Sequence, residues 1–276
     1  MPLIAAMRRS WLFVPGADEK AHAAAARSGA DVIVLELEDF TPPELRPKAR
    51  AMAAAAFAAW RTAGALAGVR VNPLESDGHA DLRGVLAAKP DIVMMSKVEA
   101  PEQVLALEAA VPGKVELVPN IESARALARI PDIAKSSSRI TALLVASEDM
   151  VADLGTERSR GGEELAYVRS RFLVECRAAG VEAIDCPYTF SDTKGARADA
   201  LMAKRLGYRM KSLVESSHAR AINRVFTPDL AKARKIVAAF EKARMQGKER
   251  AKVDGALIEV PIYTAAKRLL ASAARS

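Results

Sequence analysis

Eight short runs rich in β-branched residues and leucine, separated by Ala-rich helical or loop stretches, predict an α/β chain. Residues 1–225 are read as a closed (β/α)8 TIM barrel and residues 226–276 as a C-terminal helical extension. Strands alternating with helices imply a parallel sheet, and eight such units in about 215 residues suit a closed barrel. The rival is an open doubly wound sheet. It would need a G-x-G-x-x-G after the first strand, and none follows there.

The strands are read at WLFV (11–14), VIVLEL (32–37), VRVN (69–72), IVMMS (92–96), VELVP (115–119), ITALLVA (140–146), EAIDC (182–186) and MKSLV (210–214). Helices are expected over 18–28, 44–63, 101–110, 122–134, 163–179 and 192–206. In the extension, FTPDLAKARKIVAAFEKARMQG (226–247) reads as one long helix, with Pro228 near its start and Gly247 at its end. VDGALIEV (253–260) is open to a small hairpin or an extended turn, and PIYTAAKRLLASA (261–273) reads as a last helix. A barrel does not need these residues, so the extension is expected to pack on the barrel or on a neighbouring subunit.

Half of the residues are hydrophobic and the formal net charge is +7, without a long basic block interleaved with aromatics. That implies a mild preference for anionic ligands and argues against a nucleic-acid partner. The two cysteines, Cys176 and Cys186, form no C-x-x-C, which argues against a zinc or disulfide scaffold and fits the reducing cytoplasm. No stretch of about 18 apolar residues suits a membrane span. In MPLIAAMRRSWLFVPG the basic pair follows the apolar part, the wrong order for an export signal.

The second strand ends unusually. VIVLELEDF places Glu36, Glu38 and Asp39 within four positions of a buried-looking run. Clustered carboxylates repel and are costly to bury alone, so either the strand emerges into water or something positive sits there. In a barrel the C-terminal ends of the strands converge on one mouth. Strand three brings Arg70 and Asn72, strand four Lys97 and Glu99, strand five Asn120 and Glu122, and strand six Glu148 and Asp149. Strand seven ends at Asp185 and strand eight leads to Glu215. Such a group suits a divalent cation with oxygen ligands, Mg²⁺ or Mn²⁺. Arg70 can grip a substrate carboxylate through two parallel hydrogen bonds. A metal, an arginine and spare carboxylates can stabilise an enolate or a developing alkoxide.

Plainer readings stand beside this one. Arg70 is open to a structural pairing with Glu38 or Asp39. Glu122, Glu148 and Asp149 are open to helix first-turn roles, where an acid complements the dipole. Lys97 is read as a charge partner rather than a Schiff-base lysine. His22 and His79 read as surface positions and His218 as structural, and neither cysteine has an evident base beside it.

Several of these stretches resemble the citrate lyase β-subunit-like proteins of the HpcH/HpaI aldolase superfamily. RRSWLFVPG and the strand ending LELED are similar to that family's opening, a basic-S-x-L-F-V-P-G segment and a strand ending D-L-E-D. VRVNPLESDG resembles its V-R-I/V-N-P strand, and SKVEAPEQV its P-K-V-E segment. LVPNIESARAL resembles its P-x-I-E-T/S-A stretch, SEDMVADLG its G-A-E-D-L-x-x-D-L-G segment, and VDGALIEVPIY its closing G-x-x-I/V-D-x-P. The match runs in order along nearly the whole chain.

The resemblance implies a (β/α)8 barrel in a homotrimer or homohexamer and a carbon–carbon lyase acting on 3-hydroxyacyl-CoA thioesters such as citryl-, citramalyl- or malyl-CoA. It implies Mg²⁺ held by Glu122 and Asp149, with Arg70 on the carboxylate of a 2-keto or hydroxy acid. Glu38 and Asp39 would support Arg70 and the waters around the metal. The tail of one subunit would cap its neighbour's site with an acid, a position held here by Glu259. The chain departs from the family pattern at several positions. Glu36 and Glu259 stand where Asp is usual, Ala146 and Ser147 where Gly and Ala precede E-D, Asn120 where an apolar residue precedes the Glu, and Glu215 where a His is usual. These changes fall on the thioester side of the pocket and keep two other readings open. One is a CoA-independent 2-keto acid aldolase, and the other a non-catalytic metal and keto-acid binding protein.

Overall fold

The computed structural model describes residues 7–274. The first six residues of MPLIAAMRRSWLFVPG, read above as carrying no export signal, and the last two of the extension lie outside them. Residues Arg8–Phe226 form one compact unit, and the chain from Thr227 belongs to a second.

In the first unit eight parallel strands close on themselves in sequence order: β1 (Ser10–Pro15), β2 (Val32–Glu36), β3 (Leu66–Val71), β4 (Ile92–Met95), β5 (Glu116–Ile121), β6 (Ala142–Val145), β7 (Glu182–Asp185) and β8 (Met210–Leu213). Closure is through β1 and β8, which pair from Ser10 with Lys211 to Leu12 with Leu213. The expected (β/α)8 barrel is therefore the fold. The helices are α1 (Glu19–Ser28), α2 (Arg46–Thr62), α3 (His79–Val85), α4 (Pro101–Ala110), α5 (Ala124–Ala128), α6 (Ile130–Lys135), α7 (Glu148–Asp153), α8 (Ala166–Ala179), α9 (Thr193–Leu206) and α10 (Ala219–Phe226). The helix expected over 122–134 is two helices. Ser123 caps α5 through its hydroxyl, and Pro131 begins the first turn of α6, where its missing N–H is not needed. Glu122 thus precedes the helix instead of lying in its first turn.

Side chains alternate across each strand. Trp11, Phe13, Val34, Met94, Val118, Leu144 and Ile184 fill the barrel interior. Leu12, Leu35, Val69, Val71, Val93 and Ile121 face outward into the layer beneath the helices, with Phe57, Trp60 and Phe172. This alternation assigns the strand-end residues: Glu36, Arg70, Asn120 and Glu122 share the interior face.

His22 corrects the sequence reading. It is buried on α1, hydrogen-bonded through Nε2 to the Pro15 carbonyl at 3.0 Å and set edge-on to Trp60 at 5.6 Å. Burial pulls its pKa below the ordinary value. His79 is exposed, and His218 is buried against the Ser191 carbonyl.

The second unit holds α11 (Leu230–Met245), an antiparallel hairpin of β9 (Ala251–Val253) and β10 (Ala256–Ile258), and α12 (Val260–Ala274). Asp254 and Gly255 turn the hairpin with φ of 50° and 81°, the left-handed conformation that two-residue hairpin loops require. Phe240 stacks on Tyr263 at 4.6 Å over a small core of Ala233, Ile236, Val253 and Ile258. Among the described residues no helix is long and apolar enough to cross a membrane.

Candidate active site at the barrel mouth

The question posed by VIVLELEDF is answered by Arg70. Glu36 and Arg70 are register partners on β2 and β3. The Arg70 Nε donates to Glu36 Oε1 at 2.9 Å, and both side chains are buried. The Glu36 carboxylate also accepts the backbone N–H groups of Glu38 and Phe40, each at 2.6 Å, so it shapes the loop after β2. Thr41 locks that loop further, donating to the Glu36 carbonyl while accepting the Gly16 N–H.

From this anchor Arg70 spreads over the mouth. Its Nη2 lies 3.3 Å from Glu38 and 3.9 Å from Asp39, and its Nη1 lies 3.9 Å from Glu122. The rings of Phe13 and Phe40 flank the guanidinium at 5.2 and 5.9 Å. Although burial disfavours its charge, Glu36, Glu122 and Glu38 outweigh that and fix it as a cation. Lys97 hydrogen-bonds Glu38 and stands 3.8 Å from Asp39. It has a φ of 54°, a left-handed conformation unfavourable for a lysine, which the loop imposes while aiming the ammonium at these carboxylates. The structural pairing of Arg70 and the charge-partner reading of Lys97 are both found.

Glu122 and Asp149 stand apart from these pairings. Both Glu122 carboxylate oxygens are buried without a hydrogen-bond partner. Burial, only partly offset by Arg70 and reinforced by Asp149 and Glu38, pushes its pKa up to about 8. Burial also raises Glu38, against the pull of Arg70 and Lys97. Five carboxylates, Glu36, Glu38, Asp39, Glu122 and Asp149, thus share two cations, Arg70 and Lys97. A cavity of about 390 Å³ opens at this point, lined among others by Phe13, Arg70, Ala146, Asp149 and Ser212. That volume lies in the range of small-molecule sites.

The remaining strand-end residues fall outside this network. Glu148 pairs with Arg158 at 3.2 Å, and Glu99 accepts the Ser123 hydroxyl. Asn72 is held by Asp81 and the Leu37 carbonyl, and Glu215 is exposed. Asp185 was expected at the mouth but faces outward, because Ile184 takes the interior position. There it meets Arg169 and Lys211, each at 2.6 Å, while Asp199 completes the cluster at 2.8 Å from Arg169 and 2.5 Å from Lys211. Sequence reasoning missed this buried quartet. A lysine in the middle of MKSLV was its one visible sign. Cys186 lies beside it, and burial pushes its thiol up to about 12, which leaves no nucleophile there. Glu259 belongs to the second unit, where Arg250 lies 3.2 Å away.

The mouth fits a divalent cation. Among the described residues no group of three or more His, Cys, Asp and Glu side chains is arranged to hold a metal ion. The donors are therefore two carboxylates at most, of which Glu122 has both oxygens unengaged. Mg²⁺ is characteristically held by one or two carboxylates, with substrate and water completing its shell.

Residues 9–216 match the HpcH/HpaI aldolase/citrate lyase family. The chain is 32% identical over 279 residues to the citrate lyase subunit beta of Haemophilus influenzae, covering 96% of each. It is 30% identical to the L-malyl-CoA/beta-methylmalyl-CoA lyase of Rhodobacter capsulatus, covering 94% of this chain and 92% of that one. The crystal structure of the CitE protein of Mycobacterium tuberculosis in complex with magnesium, acetoacetate and coenzyme A superposes with a TM-score of 0.77 at 26% identity, over 98% of this chain and 99% of that one.

Proposed function

The chain belongs to the HpcH/HpaI aldolase/citrate lyase family, which makes it an enzyme of the lyase class, and on that footing we propose that it is a Mg²⁺-dependent carbon–carbon lyase cleaving or forming a 3-hydroxyacyl-CoA. The observation that carries the reading is the pair of buried, unpartnered Glu122 oxygens, 3.9 Å at the nearest from Arg70, which itself lines the cavity together with Asp149. Glu122 and Asp149 would hold the cation. When bound, it would supply a Lewis acid for the hydroxyl oxygen of the acid fragment, which loses its proton before the carbon–carbon bond breaks and becomes the keto oxygen of the product. Mn²⁺ offers the same oxygen-ligand chemistry.

Arg70 binds the carboxylate of the 2-keto or hydroxy-acid fragment. Glu36 holds the guanidinium through Nε, and the flanking Phe13 and Phe40 rings fix its plane. Glu38, shared between Arg70 and Lys97, keeps the arginine from swinging into the cavity and sets the polar edge of the site. Asp39, about half exposed, orients solvent at the rim. Proton transfer to or from the departing two-carbon unit needs an acid/base group, and we assign it to Glu259 of a neighbouring subunit in a homotrimer or homohexamer. Support comes from the resemblance of VDGALIEVPIY to the family's closing segment and from the exposure of Glu259. In this reading residues 226–276 are a capping extension for the neighbour, and the enzyme works in the cytoplasm.

The test is calorimetric titration of the Mg²⁺-loaded protein with oxaloacetate or pyruvate, then with acetyl-CoA and CoA, followed by incubation with citryl-, citramalyl- and malyl-CoA. Binding of both ligand classes and cleavage of one thioester is expected. Folded protein that cleaves none of them overturns the proposal. Ala146, whose methyl lines the cavity, favours one other reading, a CoA-independent keto-acid aldolase. It predicts keto-acid binding with no heat from CoA.

A further inference from the structure

Four buried side-chain atoms without a hydrogen-bond partner belong to two residues of one strand end: Asn120 Oδ1 and Nδ2, and Glu122 Oε1 and Oε2. The proposed cation accounts for Glu122. It does not account for Asn120, which is 0% exposed. Asn120 and Glu122 face the barrel interior on either side of the outward-facing Ile121. Asn120 therefore lies one layer deeper. Its register partner on β6 is Leu144, which lines the cavity, whereas neither Asn120 nor Glu122 does.

A carboxamide offers two donor hydrogens and an accepting oxygen. Buried with none of these used, it is costly, and an apolar residue of the same volume would fill the place at lower cost. A polar pocket flanked by such a group is where proteins keep an internal water. The partners such a water needs are close in the fold. The Asn120 Nδ2–H group can donate to it, and the Glu122 carboxylate can accept from it. Ser96 follows Met95, the register partner of Pro119, which places it beside Asn120. Its hydroxyl makes only a long bond, 3.4 Å, to the Val71 carbonyl.

We propose that Asn120 is a positioning residue that holds an internal water beneath the cavity, bridging its carboxamide to Glu122 and so fixing the carboxylate for the cation. The inference rests on the metal reading of Glu122 given above. It assigns a task to a side chain that touches neither substrate nor metal. Groups that orient a metal-binding carboxylate from behind typically change metal affinity by about 10–100-fold when removed.

The experiment compares wild type, Asn120→Leu and Asn120→Ser in calorimetric Mg²⁺ titrations without substrate, with thermal midpoints measured alongside. Leucine fills the volume without polar groups, and serine keeps a hydroxyl and room for water. The expected result is a loss of Mg²⁺ affinity of about 10–100-fold in Asn120→Leu, a thermal midpoint equal to or above wild type, and near wild-type affinity in Asn120→Ser. Equal affinity in wild type and Asn120→Leu overturns the inference, as does equal weakening in both variants, which would mark a packing effect. A wild-type protein that binds no Mg²⁺ refutes the metal reading instead. A high-resolution crystal structure then decides the water separately: density within hydrogen-bonding distance of Asn120 Nδ2 and Glu122 supports it, and a dry, apolar contact there overturns it. The same structure decides if Asn120→Leu does not fold.

Discussion

The Arg169–Asp185–Lys211–Asp199 quartet and the cluster around Arg70 use the same kinds of side chain on opposite faces of one barrel. The quartet lies outside the barrel wall, between β7, β8 and the helices α8 and α9. Two cations meet two carboxylates at 2.5–2.8 Å, and none of its atoms lacks a partner. Burial would raise the Asp199 carboxyl, but Lys211 and Arg169 outweigh it and hold it at about 2. The mouth cluster has five carboxylates for two cations, and both oxygens of Glu122 are unsatisfied. A neutral, fully paired cluster is complete as it stands. One with surplus negative charge and idle oxygens is complete only with a cation.

Substitutions that separate activity from stability test this difference most sharply. Asp149→Asn and Glu122→Gln each remove a proposed metal carboxylate. Carbon–carbon cleavage of the acyl-CoA should fall by about 10²–10³-fold or more, the scale of losing one stabiliser of developing charge. The thermal midpoint without metal should stay level or rise for Glu122→Gln, since burying the side chain no longer requires it to take up a proton. Steady-state assays and melts of the same samples check this. Retained activity in both variants would remove the metal site from the mouth.

The quartet should answer in the opposite way. Lys211→Met leaves Asp185 and Asp199 facing one cation in a buried place and should cost about 3–5 kcal/mol of stability, as removal of one partner from a buried pair does. Mg²⁺ affinity of the folded fraction should be unchanged. Denaturant unfolding with a Mg²⁺ titration decides. A stable Lys211→Met with impaired metal binding would show that the two clusters communicate.

The pH dependence of stability should also run in opposite directions. Glu122 binds its proton more tightly folded than unfolded, with a pKa near 8 against an ordinary 4.5. Its contribution is therefore fully present below about 4.5 and is lost as pH rises from there through 8. Asp199 is depressed to about 2 from 3.8, so its contribution is present above about 3.8 and is lost as pH falls through 2. Melts of metal-free protein should decline from pH 5 to 8. Excess Mg²⁺ or Glu122→Gln should flatten that limb and leave the acid limb unchanged. An alkaline decline that survives Glu122→Gln would assign it to another group.

The two clusters were not equally legible in the sequence. The mouth was visible because its acids crowd into VIVLELEDF and its arginine stands alone in the apolar run VRVNP, so surplus charge showed before any geometry. The eight strands were visible for the same reason, each a compact apolar run. The quartet was hidden because its members come from α8, β7, α9 and β8, and nothing in the sequence shows that they meet. Asp185 was placed at the mouth by its strand-end position, when the deciding fact was which face Ile184 occupies. His22 was missed because half of α1 is alanine, which leaves the buried side of EKAHAAAARS unmarked. Asn120 was noticed as a departure beside Glu122, but the lack of any partner for it emerges only once the barrel closes.

The smallest expected effect lies at Ala146, beside the proposed cation site rather than in it. Ile121 and Val145 are register partners, so Ala146 stands level with Glu122 on the neighbouring strand. Its methyl projects into a cavity where family members usually carry a glycine. One methyl or methylene group in an apolar pocket changes discrimination by about 10–200-fold, and at an 8% exposed position the lower end applies. Ala146→Gly should leave Mg²⁺ affinity and keto-acid binding unchanged, because neither uses this side chain. If the methyl narrows the thioester side, the KM for the acyl-CoA should fall by about 10-fold with kcat little altered. If the KM is indifferent to the methyl while the keto-acid affinity shifts, the departure belongs to the acid half of the pocket. The surplus-charge cluster would then be tuned by its apolar neighbour as well as by its cation.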